Sequence, residues 1–150
     1  MSEKNKPIFM TLSNDADGYL SAVQSAKDTL HIFKAQIEQL SVDDFACVKF
    51  YIPETRESLE GANIWLMNPF FEDGFCYAKP FELPNEFKWI QVGQWLKFSE
   101  ADILDWYILY NNGEMLGGYS LRYQRSILSD EGKAEFDQRV GISKFIDQKW

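Results

Sequence analysis

Asp105 and Arg122 are the acid and the base whose types and spacing could do chemistry. Between them lies Asn111-Asn112-Gly113, a hairpin signal because Asn and Gly tolerate a positive φ. Counting outward from that turn brings the two within a few residues of opposition on neighbouring strands, where a carboxylate and a guanidinium can form a bidentate pair. Such a pair has two uses. It can pin the hairpin to the rest of a sheet. Alternatively, Arg122 can bind an anionic group while Gly117 and Gly118 let a ligand approach the backbone. Trp89 and the terminal Trp150 lie in irregular or terminal stretches and are candidate binding anchors, with Phe70-Phe71 beside Pro69 adding to such a patch.

Other chemistries find no residues. His31 is the single histidine, so one chain cannot assemble a histidine-dependent triad or a multi-histidine metal site. Its helical position places it on a polar surface. Cys47 and Cys76 each sit in an apolar stretch and read as buried thiols; a disulfide between them stays open, and a metal site needs more or closer ligands. Glu72, Asp73, Glu100 and Asp102 are dispersed at turns, where capping explains them. No Walker loop, dinucleotide fingerprint, nucleophile elbow or kinase signature is present. The expectation is no catalytic residue set, no cofactor and no metal.

The 150 residues carry 15 Lys+Arg against 23 Asp+Glu, a net charge of −8. Acidic balance without any basic run opposes phosphate backbones, so a nucleic-acid partner is not expected, whereas basic protein partners are steered in. Five Trp, seven Tyr and twelve Phe supply more apolar area than a disordered chain carries. The N-terminal stretch lacks the apolar core of a signal peptide, and no apolar run approaches the ~20 residues of a membrane helix. The expected location is the cytoplasm.

The elements that must position these residues follow from periodicity. Residues 1–15 read as a tether, with Ile8-Phe9-Met10 able to add a short edge strand and Asn14 and Asp15 as helix caps. Ala16, Tyr19, Val23, Ala26, Leu30, Phe33, Ile37 and Leu40 recur at spacings of three and four, which predicts one helix of about 24 residues. The same heptad could form a coiled-coil seam and a homodimer; its two Ala and two aromatic positions suit close packing on a sheet better. From Phe45 the period becomes two, and strands are expected at Phe45 to Ile52, Asn63 to Met67 (ended by Asn68-Pro69), Phe75 to Ala78, Val92 to Phe98 and Ile103 to Tyr110. The return strand of the hairpin runs from Glu114 to Tyr123, with Gly117-Gly118 as a bulge or bend. Trp65, Trp95 and Trp106 fall on strands and read as core. Ser129 caps a short helix over 130–139 that stops near Gly141, and the tail from Ile142 to Trp150 is amphipathic and reads as helical.

The predicted fold is α+β: a long N-terminal helix packed on a twisted, mainly antiparallel sheet of about five to six strands, then a short C-terminal helix. A single domain spans residues 16–140, with residues 141–150 as a tail. Connections between strands look too short for parallel crossovers.

Asp105-Trp106, followed by Gly113 and Gly117-Gly118-Tyr119-Ser120-Leu121-Arg122, forms a block that resembles the YegJ-like bacterial domains of unknown function, domain of unknown function 2314. Weaker support comes from Ala26-Lys27-Asp28-Thr29-Leu30-His31-Ile32-Phe33, from Val48-Lys49 and from Asn63-Ile64-Trp65-Leu66. The resemblance covers roughly residues 16–140 and implies a fold but no activity. It also implies a Glu-His pair just before the strand tryptophan; Ala62 and Asn63 stand there instead, which favours binding over chemistry. Two functional expectations result. The leading one is a non-enzymatic protein-interaction module, partner-binding or immunity-like, acting as monomer or homodimer. Its rival is a small-molecule binder or enzyme using the Asp105/Arg122 hairpin.

Overall fold

The computed structural model describes residues 17–146. The Ile8-Phe9-Met10 segment, the Asn14 and Asp15 caps, Ala16 and Trp150 lie outside the described residues. Two helices, α1 (Asp17–Asp28) and α2 (Leu30–Ile37), precede the strands β1 (Phe45–Pro53), β2 (Gly61–Glu72), β3 (Phe75–Pro80) and β4 (Leu96–Ser99). A 3-10 turn at Glu100–Asp102 leads into β5 (Asp105–Leu109) and β6 (Glu114–Gly117). Helices α3 (Tyr119–Ser126) and α4 (Asp130–Val140) follow, then β7 (Lys144–Phe145). The strands form one seven-stranded sheet in the order β4-β3-β2-β1-β5-β6-β7. Every neighbouring pair is antiparallel except β6 and β7, which are parallel.

The apolar stripe on residues 19–40 packs inward as its spacing dictates, but it is carried by two helices and, at Leu40, by the turn after α2 rather than by one helix. The break falls at Thr29. A continuous helix gives the Ala26 carbonyl to the Leu30 N–H; here it accepts the Trp106 indole N–H at 3.2 Å. The Thr29 hydroxyl donates back to the Ser25 carbonyl at 2.8 Å, a bond that bends helices.

Alternation along β1 sends Val48, Phe50 and Ile52 towards α1 and α2, where they meet Ala26, Phe33, Ile64, Leu66, Cys76, Ala78, Trp106, Ile108 and Leu116 in the main core. The intervening Cys47 faces the other way, into a second core with Trp65, Tyr107 and Met115 from the sheet, Leu121 of α3, Phe136 of α4 and Ile142. The sheet is thus a middle layer, with helices on both faces over part of its width.

Several expectations are corrected. Pro69 does not end β2: the register shifts between Met67 and Phe70, Asn68 takes φ 56°, and the resulting bulge spares the ladder a missing N–H. The fourth strand is confined to Leu96–Ser99, after a turn at Gly93 with φ 85°. The return strand ends at Gly117. Gly117 and Gly118 take φ 74° and 68° and turn the chain out of the sheet, so Tyr119 to Tyr123 is helix. The described part of the tail is not helical but adds β7, parallel to β6, reached through α3 and α4. With β7 the strand count rises to seven.

The hairpin and α4 form where their residues predict. Gly113 donates to the Tyr110 carbonyl at 2.9 Å with φ 88°. The Ser129 hydroxyl accepts from the Gly132 N–H at 3.1 Å, and Gly141 ends α4 at φ 83°.

Candidate functional site

Asp105, Gly117, Gly118 and Arg122 come together where β5 and β6 meet the start of α3, but not as a strand-to-strand ion pair. Arg122 is on α3. Its Nε donates to the Gly117 carbonyl at 2.8 Å and its Nη2 to the Ile146 carbonyl at 2.9 Å. Its guanidinium lies 4.8 Å from the Phe145 ring centroid and 5.7 Å from that of Tyr119. It therefore ties α3 to the strand end before it and to the segment after β7.

The Asp105 carboxylate is given to the α3 N-terminus. One oxygen accepts from the N–H groups of Trp106 (2.8 Å) and Tyr119 (3.1 Å). The other accepts from the Ser120 N–H at 2.7 Å and the Ser120 hydroxyl at 2.5 Å. The first N–H groups of a helix lack intrahelical partners and carry the positive end of its dipole. A carboxylate arriving from a neighbouring strand satisfies both needs. The glycines serve the same corner. A Cβ on Gly117 would lie 2.6 Å from the Trp106 ring and from the Trp106 carbonyl oxygen, so the close approach that Gly117 permits is taken by Trp106.

Sequence reasoning missed two further members of this cluster, Lys49 and Ser120. Lys49 stands opposite Asp105 in the β1–β5 register. Its ammonium donates to the Ser120 hydroxyl oxygen at 3.1 Å, so Ser120 bridges cation and anion. The Tyr19 and Trp65 ring centroids lie 5.2 Å and 5.4 Å from the same ammonium. Lys49, Asp105 and Ser120 are all buried, with exposures of 4%, 0% and 1%. Burial dominates their titration: it pulls Lys49 down to about 8 against the pull of Asp105. It also raises Asp105 despite Lys49 and the hydrogen bonds from Ser120 and Trp106. Tyr19, which accepts from Asn63 Nδ2 at 2.7 Å, is pushed up to about 12, first by burial and then by Asp105.

A serine beside a lysine of lowered pKa is the pairing that nucleophilic catalysis uses, provided the lysine takes the hydroxyl proton and substrate can reach the oxygen. Here the Ser120 proton points to Asp105, Lys49 is a donor, and the oxygen is sealed inside the protein. The clefts at Lys34–Gly74 (about 370 Å³) and Ala26–Ile103 (about 300 Å³) are lined by other residues. The cluster anchors α3 across β1 and β5.

Trp89 belongs elsewhere. It is half-buried in the loop after β3, where its indole N–H donates to the Pro53 carbonyl at 2.9 Å and the Arg56 guanidinium lies 5.5 Å from its ring centroid. It clips that loop to the end of β1. His31 is exposed. Cys47 and Cys76 are free and buried, and burial raises both thiols, Cys76 to about 12.

A second constellation lies on the outer face of β2, β3 and β4. Register places Phe70, Tyr77 and Lys97 side by side across the three strands. Phe70 and Tyr77 stack with centroids 4.8 Å apart at 8°, and Trp95 meets Phe70 edge-on at 5.3 Å. The Lys79 ammonium sits 4.8 Å from the Trp95 centroid, and Lys97 lies 4.1 Å from that of Phe75 and 5.9 Å from that of Tyr77. Trp95 is 50% exposed, Phe70 43% and Phe75 38%. Trp95 is therefore not core, unlike Trp65 and Trp106. Of the Phe70-Phe71 pair only Phe70 joins this surface; Phe71 turns inward and packs edge-on against Phe33 at 6.1 Å.

No helix among the described residues is long and apolar enough to cross a membrane. No curated protein and no solved structure is significantly similar to the chain. One family is: its sequence pattern matches residues 17–144, which takes in α1, the Lys49–Ser120–Asp105 anchor and the Gly117-Gly118 turn. This chain belongs to the bacterial family described as "Uncharacterized protein conserved in bacteria (DUF2314)".

Proposed function

We propose that this chain is a non-enzymatic protein-interaction module whose docking surface is the outer face of β2, β3 and β4. One observation carries the reading: Phe70, Phe75 and Trp95 stand exposed on that face around a half-buried Tyr77, roofed by Lys79 and Lys97. Contiguous exposed apolar surface with a polar rim marks interaction sites, and Trp and Tyr are the residues on which binding energy concentrates. The buried acid–base cluster supports the same view from the other side, since its groups are engaged with each other and with backbone. A small molecule read by Asp105 and Arg122 would have to displace helix-capping bonds from one and carbonyl bonds from the other.

Affinity capture from a native lysate at low salt, with and without crosslinking, tests this. A partner enriched on the wild-type chain and lost from a correctly folded Phe70→Ala/Trp95→Ala variant is the expected result. Equal capture by both proteins, or no partner even after crosslinking, overturns it.

A further inference from the structure

Strand β4 ends the sheet: β3 pairs with one of its edges and no described strand pairs with the other. We infer that the partner lays an extended strand along this edge, which no described strand covers, with apolar side chains facing inward and carboxylates facing the lysines. This rests on the docking surface proposed above and names the chemistry of what docks there.

Three features of β4 point to this occupant. Its side chains alternate. Leu96 and Phe98 face the main core, Phe98 stacked on Phe50 at 4.2 Å, yet both stay only half-buried, so the next strand out would complete their cover. Lys97, between them, points outward beside Phe75 and Tyr77. Successive residues of an added strand face opposite sides of the sheet, so the occupant that fits alternates apolar residues with acidic ones. Main-chain hydrogen bonds would supply affinity and the alternation specificity.

A second copy of this chain fits poorly. Two β4 strands of four residues paired about a two-fold axis bring their Lys97 side chains close together, and like charges on paired strands are unfavourable. The net charge of −8 speaks to the whole partner and favours one that is basic overall. The two lysines speak to the segment in contact and favour carboxylates. Single-stranded nucleic acid shares the taste for stacked aromatics and lysines, but it would leave the strand edge unused and would meet an acidic protein.

The test uses the full chain, isotope-labelled, and short synthetic peptides. The first alternates valine and glutamate, the second valine and lysine, and the third is the glutamate peptide N-methylated at alternate amides. An oligouridylate is the nucleic-acid probe. The glutamate peptide should shift amide resonances at residues 96–99. It should bind at least about tenfold more tightly than the lysine peptide or the N-methylated one. The exposed Lys97→Glu substitution should reverse the preference between the two charges. The inference is overturned by equal binding of both charges, by indifference to N-methylation, by no binding of the glutamate peptide, or by tighter binding of the oligouridylate. Absent peptide binding together with partner capture that still needs Phe70 and Trp95 removes edge addition and leaves the docking face. Capture that ignores the aromatics removes both.

Discussion

Strands β1 and β3 belong to one sheet, yet they obey different rules. Along β1 every residue from Ala46 to Phe50 is buried, Lys49 included, whereas β3 alternates Cys76 and Ala78 inside with Phe75 exposed and Tyr77 and Lys79 half-covered. The difference lies in what covers them. Helices α1 and α2 lie mainly over one face, with Tyr19 at the start of α1 reaching Lys49 and Asn63 on the other, and α3 and α4 pack on that other face in a core drawn from β1, β5, β6 and Trp65 of β2. Where both faces are covered, a charged side chain survives only if its charge is met, and Lys49, Ser120 and Asp105 meet each other. Where the outer face is open, the lysines stay solvated over aromatic rings, and nothing in the core depends on them. Substitutions in the first region should therefore act on stability, and those in the second on association.

The sharpest test of that division is Lys49→Met. It leaves the Asp105 carboxylate buried without its cation, and removing one partner of a buried pair costs about 3–5 kcal/mol. Adding Asp105→Asn should recover part of the loss, because no charge remains to be met, although the single amide oxygen keeps the donors of only one carboxylate oxygen and the NH2 faces those of the other. Urea denaturation of the wild type, both single variants and the double variant measures the coupling. Simple addition of the two single losses would show that the groups do not act as a unit, and the contrast between the two regions would lose its electrostatic basis.

How much of this was readable in the residues depends on where each cause sits. Local causes were legible: the three-and-four spacing of Tyr19 to Leu40, the alternation of β1, the Gly113 turn, the Ser129 cap and the Gly141 stop. Remote causes were not. The break at Thr29 depends on the Trp106 indole, which takes the carbonyl of Ala26 from 80 positions away. Helix α3 reads as strand in the sequence because Tyr119, Leu121 and Tyr123 suit either state and its N-terminus is capped by Asp105 from β5. The Gly117-Gly118 pair was the available signal, since two adjacent glycines can end a strand as readily as bulge it. Alternation sorts residues between two faces but does not say which face other elements cover: Lys49 is buried, and Trp95, which reads as core, is exposed. Asp105 meets Ser120 and, through it, Lys49, whereas Arg122 bonds to the Gly117 and Ile146 carbonyls.

Alkaline titration probes the covered region with a smaller effect. Tyr19 holds its proton to about 12 in the folded chain against 10.0 ordinarily. The unfolded chain therefore releases that proton first, and the stability linked to it is complete below pH 10 and lost between pH 10 and about 12. The loss is roughly 2–3 kcal/mol. Lys49 has the opposite sign in a lower window. Its proton leaves the folded chain near pH 8 and the unfolded chain near 10.5, so stability should rise across that interval. Tyr19→Phe costs about 1 kcal/mol at neutral pH through the lost Asn63 bond, and it should remove part of the fall above pH 10 while keeping the rise below it. Unfolding free energies from pH 7 to 12 decide this; parallel curves for the two proteins would mean that Tyr19 is not held in its neutral form.

The smallest stability effect belongs to Trp95→Ala, and its smallness is the point. Trp95 is half exposed and meets Phe70 edge-on and Lys79 at its face, contacts worth about 0.5–1 kcal/mol each at exposed sites. At the lower end of those values, as solvent exposure favours, truncation should lower stability by about 1 kcal/mol. If the outer face is a docking surface, the same substitution removes an anchor from the centre of the contact, where truncating a tryptophan commonly costs 2 kcal/mol or more of binding, roughly thirtyfold. A melting curve and a binding curve on one variant thus give opposite readings for the two regions. A loss of several kcal/mol in stability would place Trp95 among the structural residues with Trp65 and Trp106, and the open half of the sheet would then be held together by the very surface assigned here to a partner.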